Sequence, residues 1–167
     1  TSKAIVEVNG EPKEIDIRTS RRWTMDLHER DVMAIAVLLA EKEGLAKDQI
    51  EKLVLAARFH DIGKSKTPYA VLNYPNALRG VVYENRGMMD IIKDHVKDAE
   101  PILRRLHFPG DVIQVVLQHH ELLDGSGYGV HKEGLKGDKI SPLARILVVA
   151  DVTAALLRSR PYKAAMG

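Results

Sequence analysis

Apolar and polar residues alternate from Lys3 to Ile17, with Ile5, Val6 and Val8 before Asn9-Gly10 and Ile15 and Ile17 after it. Period-two alternation around Asn-Gly predicts a small β-hairpin, because the tight turn that suits twisted strands needs positive φ at its centre. Two strands are not stable alone in water, so this pair is expected to pack on the helical body or on a preceding sensory or regulatory domain. From Trp23 the apolar period lengthens to about 3.6, the spacing of helices with one buried face. Five helices are predicted: 24–43, ending before Gly44; 47–61, before Gly63; 81–106, before Pro109; 110–122, before a glycine-rich loop; and 142–158, before Pro161. Pro68, Pro75 and Asn76 mark one loop, and Asp124 to Gly137 a second. Arg145 to Asp151 also fits a buried strand ending in a carboxylate, and the helical surroundings favour helix. Residues 1–20 are therefore read as the hairpin or the end of a preceding domain, and 21–167 as one all-α bundle.

The polar residues that fall on the apolar stripes carry the chemistry. His28 shares a stripe with Val32, Ile35 and Leu39; His60 and Asp61 follow Leu53 and Ala57; His95 stands among Ile91, Ile92, Ala99 and Ile102; His119 and His120 follow Val112 and Val116; Asp151 stands with Leu147, Ala150 and Ala154. Each of the five helices thus directs a metal-capable side chain inward. A lone core histidine is ordinarily satisfied by a backbone carbonyl or a water. Five histidines and two aspartates buried together would cost several kcal/mol each without a compensating centre, and a cation supplies one.

Composition sharpens this. The 167 residues suffice for one well-buried domain, and 25 Lys+Arg against 23 Asp+Glu leave a net charge of +2, with no wholesale signal for a nucleic acid polymer. No apolar run approaches the ~20 residues of a membrane span and no charged-then-apolar leader opens the chain, so it reads as a soluble, cytoplasmic piece. The absence of cysteine excludes thiolate zinc sites and cysteine nucleophiles, leaving seven histidines for nitrogen and oxygen chemistry. Seven donors are too many for one four-coordinate ion and suit two ions that share a bridging carboxylate, for which Asp61 beside His60 is the natural choice. Two metals about 3.5–4 Å apart clamp an in-line displacement at phosphorus, so phosphoester hydrolysis by a metal-activated water is expected. Lys64, in His60-Asp-Ile-Gly-Lys64, would reach a non-bridging phosphate oxygen.

These residues resemble the HD-GYP family of the HD phosphohydrolase superfamily. The resemblance runs from His28 to Lys163 and rests on four blocks in order: His60-Asp-Ile-Gly-Lys64, His119-His-Glu-Leu-Leu-Asp-Gly-Ser-Gly-Tyr128-Gly129, Ala144-Arg-Ile-Leu-Val-Val-Ala-Asp151, and Arg160-Pro-Tyr-Lys163. It implies an all-α HD-domain helical bundle, here with the small N-terminal hairpin, and hydrolysis of cyclic di-GMP to linear pGpG or GMP. It further implies one metal on His28, His60, Asp61 and Asp151 and a second on Asp61, His95, His119 and His120; imidazole and carboxylate donors accept iron, manganese, zinc, cobalt or nickel, with iron and manganese the leading expectation. Asp61 and Lys64 would serve catalysis, and Lys64, Tyr128, Arg160 and Lys163 would approach the dinucleotide. Gly129 stands where the motif has proline. Thr24 stands where some members carry a glutamate for a third metal, so two ions are expected. The aspartate often found three residues after the last donor is Ala154, and the chain ends at Gly167, ahead of the helices usual in the family, so a shortened C-terminal end is expected. Two other readings stay open: hydrolysis of another cyclic dinucleotide or a nucleotide, and a receptor that binds a cyclic dinucleotide or a protein without turnover.

Several residues fall outside the pattern. His107 is read as a C-terminal helix cap and His131 as a loop residue; Asp124-Gly-Ser-Gly is read as a turn, since the alternating carboxylates of a calcium loop are absent. Trp23 and Thr24 are expected to start the first helix and Arg104 and Arg105 to face solvent. Glu121 fits equally an outer partner of a ligating histidine and an exposed helix-end residue.

Overall fold

The computed structural model describes residues 3–8, 11–16, 26–68, 71–72, 82–83, 86–131 and 133–157. Helix α1 (Asp26–Lys42) buries Val32, Ala36 and Ala40, spaced by four, and α2 (Lys47–Phe59) buries Leu53, Ala56 and Ala57. Helix α3 (Met88–Arg105) buries His95, Val96, Ala99 and Leu103, and continues through Pro101, which withholds one intrahelical donor. Helix α4 (Gly110–Leu117) is short and apolar, while α5 (Pro142–Leu157) buries Ala144, Leu147, Ala150 and Ala154. The alanines of α1 and α5 permit close approach of those two helices, which pack together; α2 lies against α1 and α4, and α3 against α4. Fully burying leucines such as Leu53, Leu103 and Leu147 stabilises by about 2 kcal/mol each, so this apolar layer, and not the polar centre it surrounds, supplies the stability.

The domain is an all-α bundle, with segment Arg145–Asp151 helical within α5. Ahead of it, strands β1 (Lys3–Val8) and β2 (Glu11–Asp16) pair antiparallel with Val8 opposite Glu11. The expected Asn9-Gly10 turn, the boundary at residue 20 and the start at Trp23 and Thr24 lie outside the described residues.

Three expectations need correction. The buried stripe of α1 is Val32, Ala36 and Ala40, one residue further round than Val32, Ile35 and Leu39, which are only half-buried beyond Val32. The third helix begins at Met88 instead of residue 81: β3 (Val82–Tyr83) pairs with β4 (Arg86–Gly87), and Gly87 caps the helix in an extended conformation. Valine and tyrosine favour that extended start. Finally, α2 stops at Phe59 and α4 at Leu117, so His60, Asp61, His119 and His120 lie in the turns after these helices. The reason is geometric. Adjacent residues on an α-helix point about 100° apart, and both members of each pair can face one centre only where the regular winding ends.

Candidate metal centre

His28 comes from α1, His60 and Asp61 from the turn after α2, His95 from α3, His119 and His120 from the turn after α4, and Asp151 from α5. A single-turn 3₁₀ helix, Ile62–Lys66, carries Lys64 and packs on α3. These seven donors meet. His28 Nε2 is 3.0 Å from Asp151 Oδ1, and His60 Nε2 is 3.7 Å from the same oxygen and 3.6 Å from Asp61 Oδ2. Asp61 Oδ1 lies 3.3 Å from His95 Nε2 and 3.9 Å from His119 Nε2. The ring of His120 is tilted over that of His119 at 3.9 Å between centroids. Two donor groups result, one of His28, His60 and Asp61 and one of Asp61, His95, His119 and His120, each with ligand atoms within 4.8 Å of one another. Asp61 belongs to both.

The backbone decides which nitrogen each imidazole offers. His60 Nδ1 is 2.7 Å from the carbonyl of Ala57, His95 Nδ1 is 2.6 Å from that of Ile92, and His119 Nδ1 is 2.6 Å from that of Val116. A carbonyl only accepts, so Nδ1 carries the proton in all three and Nε2 presents a lone pair to the centre. His95 Nε2 and His119 Nε2 then face each other lone pair to lone pair at 3.3 Å. His60 Nε2 and Asp61 Oδ1 are buried without a hydrogen-bond partner among the described residues. Converging lone pairs and orphaned acceptors are what a divalent cation would satisfy, and the donor set fits metal binding.

Electrostatics points the same way. Burial is the largest influence on His95, His119 and His120 and lowers all three, with neighbouring imidazoles adding to it; His120 is pushed down to about 3. They are neutral, ligand-ready groups at neutral pH. Burial opposes ionisation of Asp61, yet the Lys64 ammonium and the His60, His95 and His119 rings hold its carboxyl well below the usual range. Asp151 is buried too, but the hydrogen bond from His28 and the field of His60 keep it low.

Lys64 is placed on Asp61: its Nζ donates to Oδ2. Tyr128 stacks on His120, centroids 4.5 Å apart and planes at 26°, and burial followed by the Asp61 and Asp151 charges raises its phenol. Arg160 and Lys163 lie outside the described residues. Glu121 corrects both expectations for it: it is 2% exposed, and its Oε2 accepts from the backbone of Leu135 at 2.8 Å instead of from a histidine. His107 leaves α3 with φ 58°, its N–H donating to Arg104 O, and Asp124 Oδ1 closes a turn on Ser126 N at 2.9 Å. Arg104 and Arg105 are exposed, Arg104 pairing with Glu100 at 2.7 Å. Sequence reasoning passed over Lys93, whose ammonium lies 5.3 Å from the centre of the Tyr128 ring. It also passed over the carbonyls of Ala57, Ile92 and Val116, whose one signal is their position three residues before a histidine.

The family model described as HD domain matches residues 12–167. The cyclic di-GMP phosphodiesterase response regulator RpfG of Xanthomonas campestris is 38% identical over 78% of this chain and 33% of its own length. The 3'3'-cGAMP-specific phosphodiesterase 1 of Vibrio cholerae is 34% identical over 83% of this chain and 30% of its own length. The chain thus spans about a third of these relatives. Among solved structures, the HD domain of the L. monocytogenes phosphodiesterase PgpH in complex with cyclic-di-AMP is similar at TM-score 0.58 and 25% identity, over 80% of this chain and 66% of that one.

Proposed function

The chain belongs to the HD domain family, and from that premise and the shared carboxylate of its buried cluster we propose that it is a metal-dependent phosphodiesterase of the HD-GYP type that hydrolyses cyclic di-GMP to linear pGpG or GMP. The observation that carries this reading is the presence of Asp61 in both donor groups. In the proposed assignment, His28, His60, Asp61 and Asp151 hold one divalent ion and Asp61, His95, His119 and His120 hold the other, with 21–167 as the catalytic unit. Iron(II) and manganese(II) suit imidazole and carboxylate donors. Such ions supply positive charge at the phosphoryl oxygens and acidify an attacking water.

The chain's own residues do the rest. The backbone carbonyls behind His60, His95 and His119 keep each Nε2 free of protons and aimed inward. Lys64, beside Asp61, is positioned to neutralise a non-bridging phosphoryl oxygen as charge builds on it. Tyr128, flat on His120, forms a wall against which a base or sugar can rest. Arg160 and Lys163 would meet phosphate or a guanine edge, to which a planar guanidinium is suited. A second reading, turnover of another cyclic dinucleotide, is favoured by Gly129 in place of the motif's proline, by a relative named for cGAMP and by a similar phosphodiesterase HD domain solved in complex with cyclic-di-AMP. A receptor without turnover would have no use for seven inward donors.

The test uses protein loaded anaerobically with Fe(II) or Mn(II) and offered cyclic di-GMP, cyclic GMP-AMP, cyclic di-AMP and pGpG, beside an Asp61→Ala control. Linear product from cyclic di-GMP that disappears in the control is the expected result. Turnover of only another dinucleotide would move the assignment to the second reading, and binding without product in either metal form would overturn both.

A further inference from the structure

Solvent reaches the donor cluster past only some of its members. His60, His95 and His119 are fully buried, whereas His28 and Asp151 keep 16% and 14% of their side-chain surface, Lys64 keeps 13%, and His120 and Tyr128 are half-buried. A ligand entering the centre must cross these partly open residues. Lys93 stands at their edge. It lies on α3 two residues before His95, is exposed, and holds its Nζ 5.3 Å from the centre of the Tyr128 ring, which in turn stacks on His120. Other lysines nearby have their charge committed: Lys97 pairs with Asp94 at 2.7 Å, Lys52 with Asp111 at 2.7 Å, and Lys64 donates to Asp61. Among the described residues Lys93 has the tyrosine ring and no carboxylate, and a ring holds an exposed ammonium only weakly. Its positive charge is therefore open to an anion that comes to the mouth of the centre.

We propose that Lys93 is a substrate-binding residue that meets the second phosphate of a cyclic dinucleotide, the one not being cleaved, and so selects two-phosphate rings over simple phosphodiesters. This inference rests on the phosphodiesterase reading and adds a specificity-determining contact to it. A cyclic dinucleotide carries two phosphodiester groups, each with one negative charge, and only one of them can lie on the metal donors at a time. Lys64, beside Asp61, belongs to that scissile group. The other phosphate is carried outward by the ring of the dinucleotide, toward the partly open side where Tyr128 and Lys93 stand. A lysine suits this task because its ammonium is a compact charge on a flexible four-carbon stem. A charge-assisted hydrogen bond to phosphate is stronger than a contact with an aromatic ring, so the ammonium would leave Tyr128 for the phosphate while a base settles against the tyrosine.

Lys93→Met, Lys93→Arg, Tyr128→Ala and the Lys93→Met, Tyr128→Ala double variant test this in the metal-loaded chain. The substrates are the cyclic dinucleotides and bis(p-nitrophenyl) phosphate, which has a single phosphate, and equilibrium binding of the same dinucleotides is measured alongside. Lys93→Met removes the charge and keeps an apolar stem. It is expected to raise KM for the dinucleotide about tenfold with kcat within about threefold, and to lower the preference for the dinucleotide over the single-phosphate ester by about as much. Lys93→Arg, which keeps the charge, should stay within about threefold of wild type. The rise of KM with salt should be shallower in Lys93→Met, because one screened contact is gone, and a lysine that merely propped the tyrosine ring would leave that slope unchanged. Since Lys93 touches the phosphate itself, its effect should persist in the Tyr128→Ala background. Disappearance of the effect there, equal losses on the dinucleotide and the single-phosphate ester, or an unchanged KM would each overturn the proposal. If the wild type binds a dinucleotide and cleaves none, the phosphodiesterase reading fails, while a Kd about tenfold weaker in Lys93→Met still upholds the contact. If the wild type neither binds nor cleaves any dinucleotide, both fall.

Discussion

Three histidines of this chain commit their Nδ1 protons to the carbonyl three residues back, and that local bond makes Nε2 the inward-facing donor at His60, His95 and His119. The cost appears when no cation is present. Burial favours neutral His95, His119 and His120, so their folded pKa values lie below the ordinary 6.5, at about 3 for His120, and the unfolded chain binds more protons in between. Stability therefore rises with pH up to about 6.5 and is lost progressively below it; Asp61 and Asp151, both depressed from 3.8, withdraw their contribution only below that value. In the presence of a chelator, thermal melts are expected to shift down steadily from pH 7 to pH 4.5, with the loss beginning in the histidine range. A melting temperature flat across that interval would contradict the buried, neutral imidazoles. The identity of the inward-facing residues was legible because imidazoles at apolar positions are unusual. Their tautomers were not, since no side-chain pattern announces a carbonyl partner.

At the scale of elements, the arrangement depends on where regular winding stops. The turn after α2 presses so closely on α3 that a Cβ at Gly63 would meet the His95 carbonyl oxygen at 1.8 Å and Ala99 N at 2.8 Å, contacts with backbone that cannot swing aside. Gly63→Ala is expected to force the 3₁₀ segment off α3, separating Asp61 from His95. Overpacking of this kind costs about 3 kcal/mol, which for a chain of this length corresponds to a fall of about 6–12 °C in melting temperature. Metal analysis of the purified variant should show substoichiometric binding. Full occupancy and an unchanged melt would mean the two elements are not held in register by this contact. The sequence marked Gly63 as a helix end, which is correct within a few residues, but a stop signal and a close-approach glycine look alike until the neighbouring helix is known. The same limit explains the third helix, where periodicity alone extended the helix back through Val82, Tyr83 and Gly87.

For the whole molecule, a cation held in this polar centre would make folding and binding one equilibrium, since the cluster exists only in the folded chain. A ligand that binds only the folded state adds about 2.7 kcal/mol at a free concentration one hundred times its Kd, or about 5–11 °C of melting temperature for a domain of this size. Titrating Mn(II) into chelator-treated protein and following the melt by calorimetry should give that rise, and Asp61→Ala should remove most of it. No rise at saturating metal would count against a cation in the cluster. No described helix is long and apolar enough to cross a membrane.

What the sequence determined by itself is the inventory: the absence of thiolates, an all-α bundle, and the seven imidazoles and carboxylates that turn inward. Helical periodicity and the free-energy cost of burying polar groups are local properties, readable from order alone. What only the tertiary structure decided is convergence. Adjacent residues such as His60 and Asp61, or His119 and His120, can share a centre only because their helices end one residue or two before them, and Glu121 points into a loop instead of toward a histidine because Leu135, fourteen residues on, returns to meet it. Those outcomes depend on contacts between segments distant in the chain, and no periodicity along one segment encodes them.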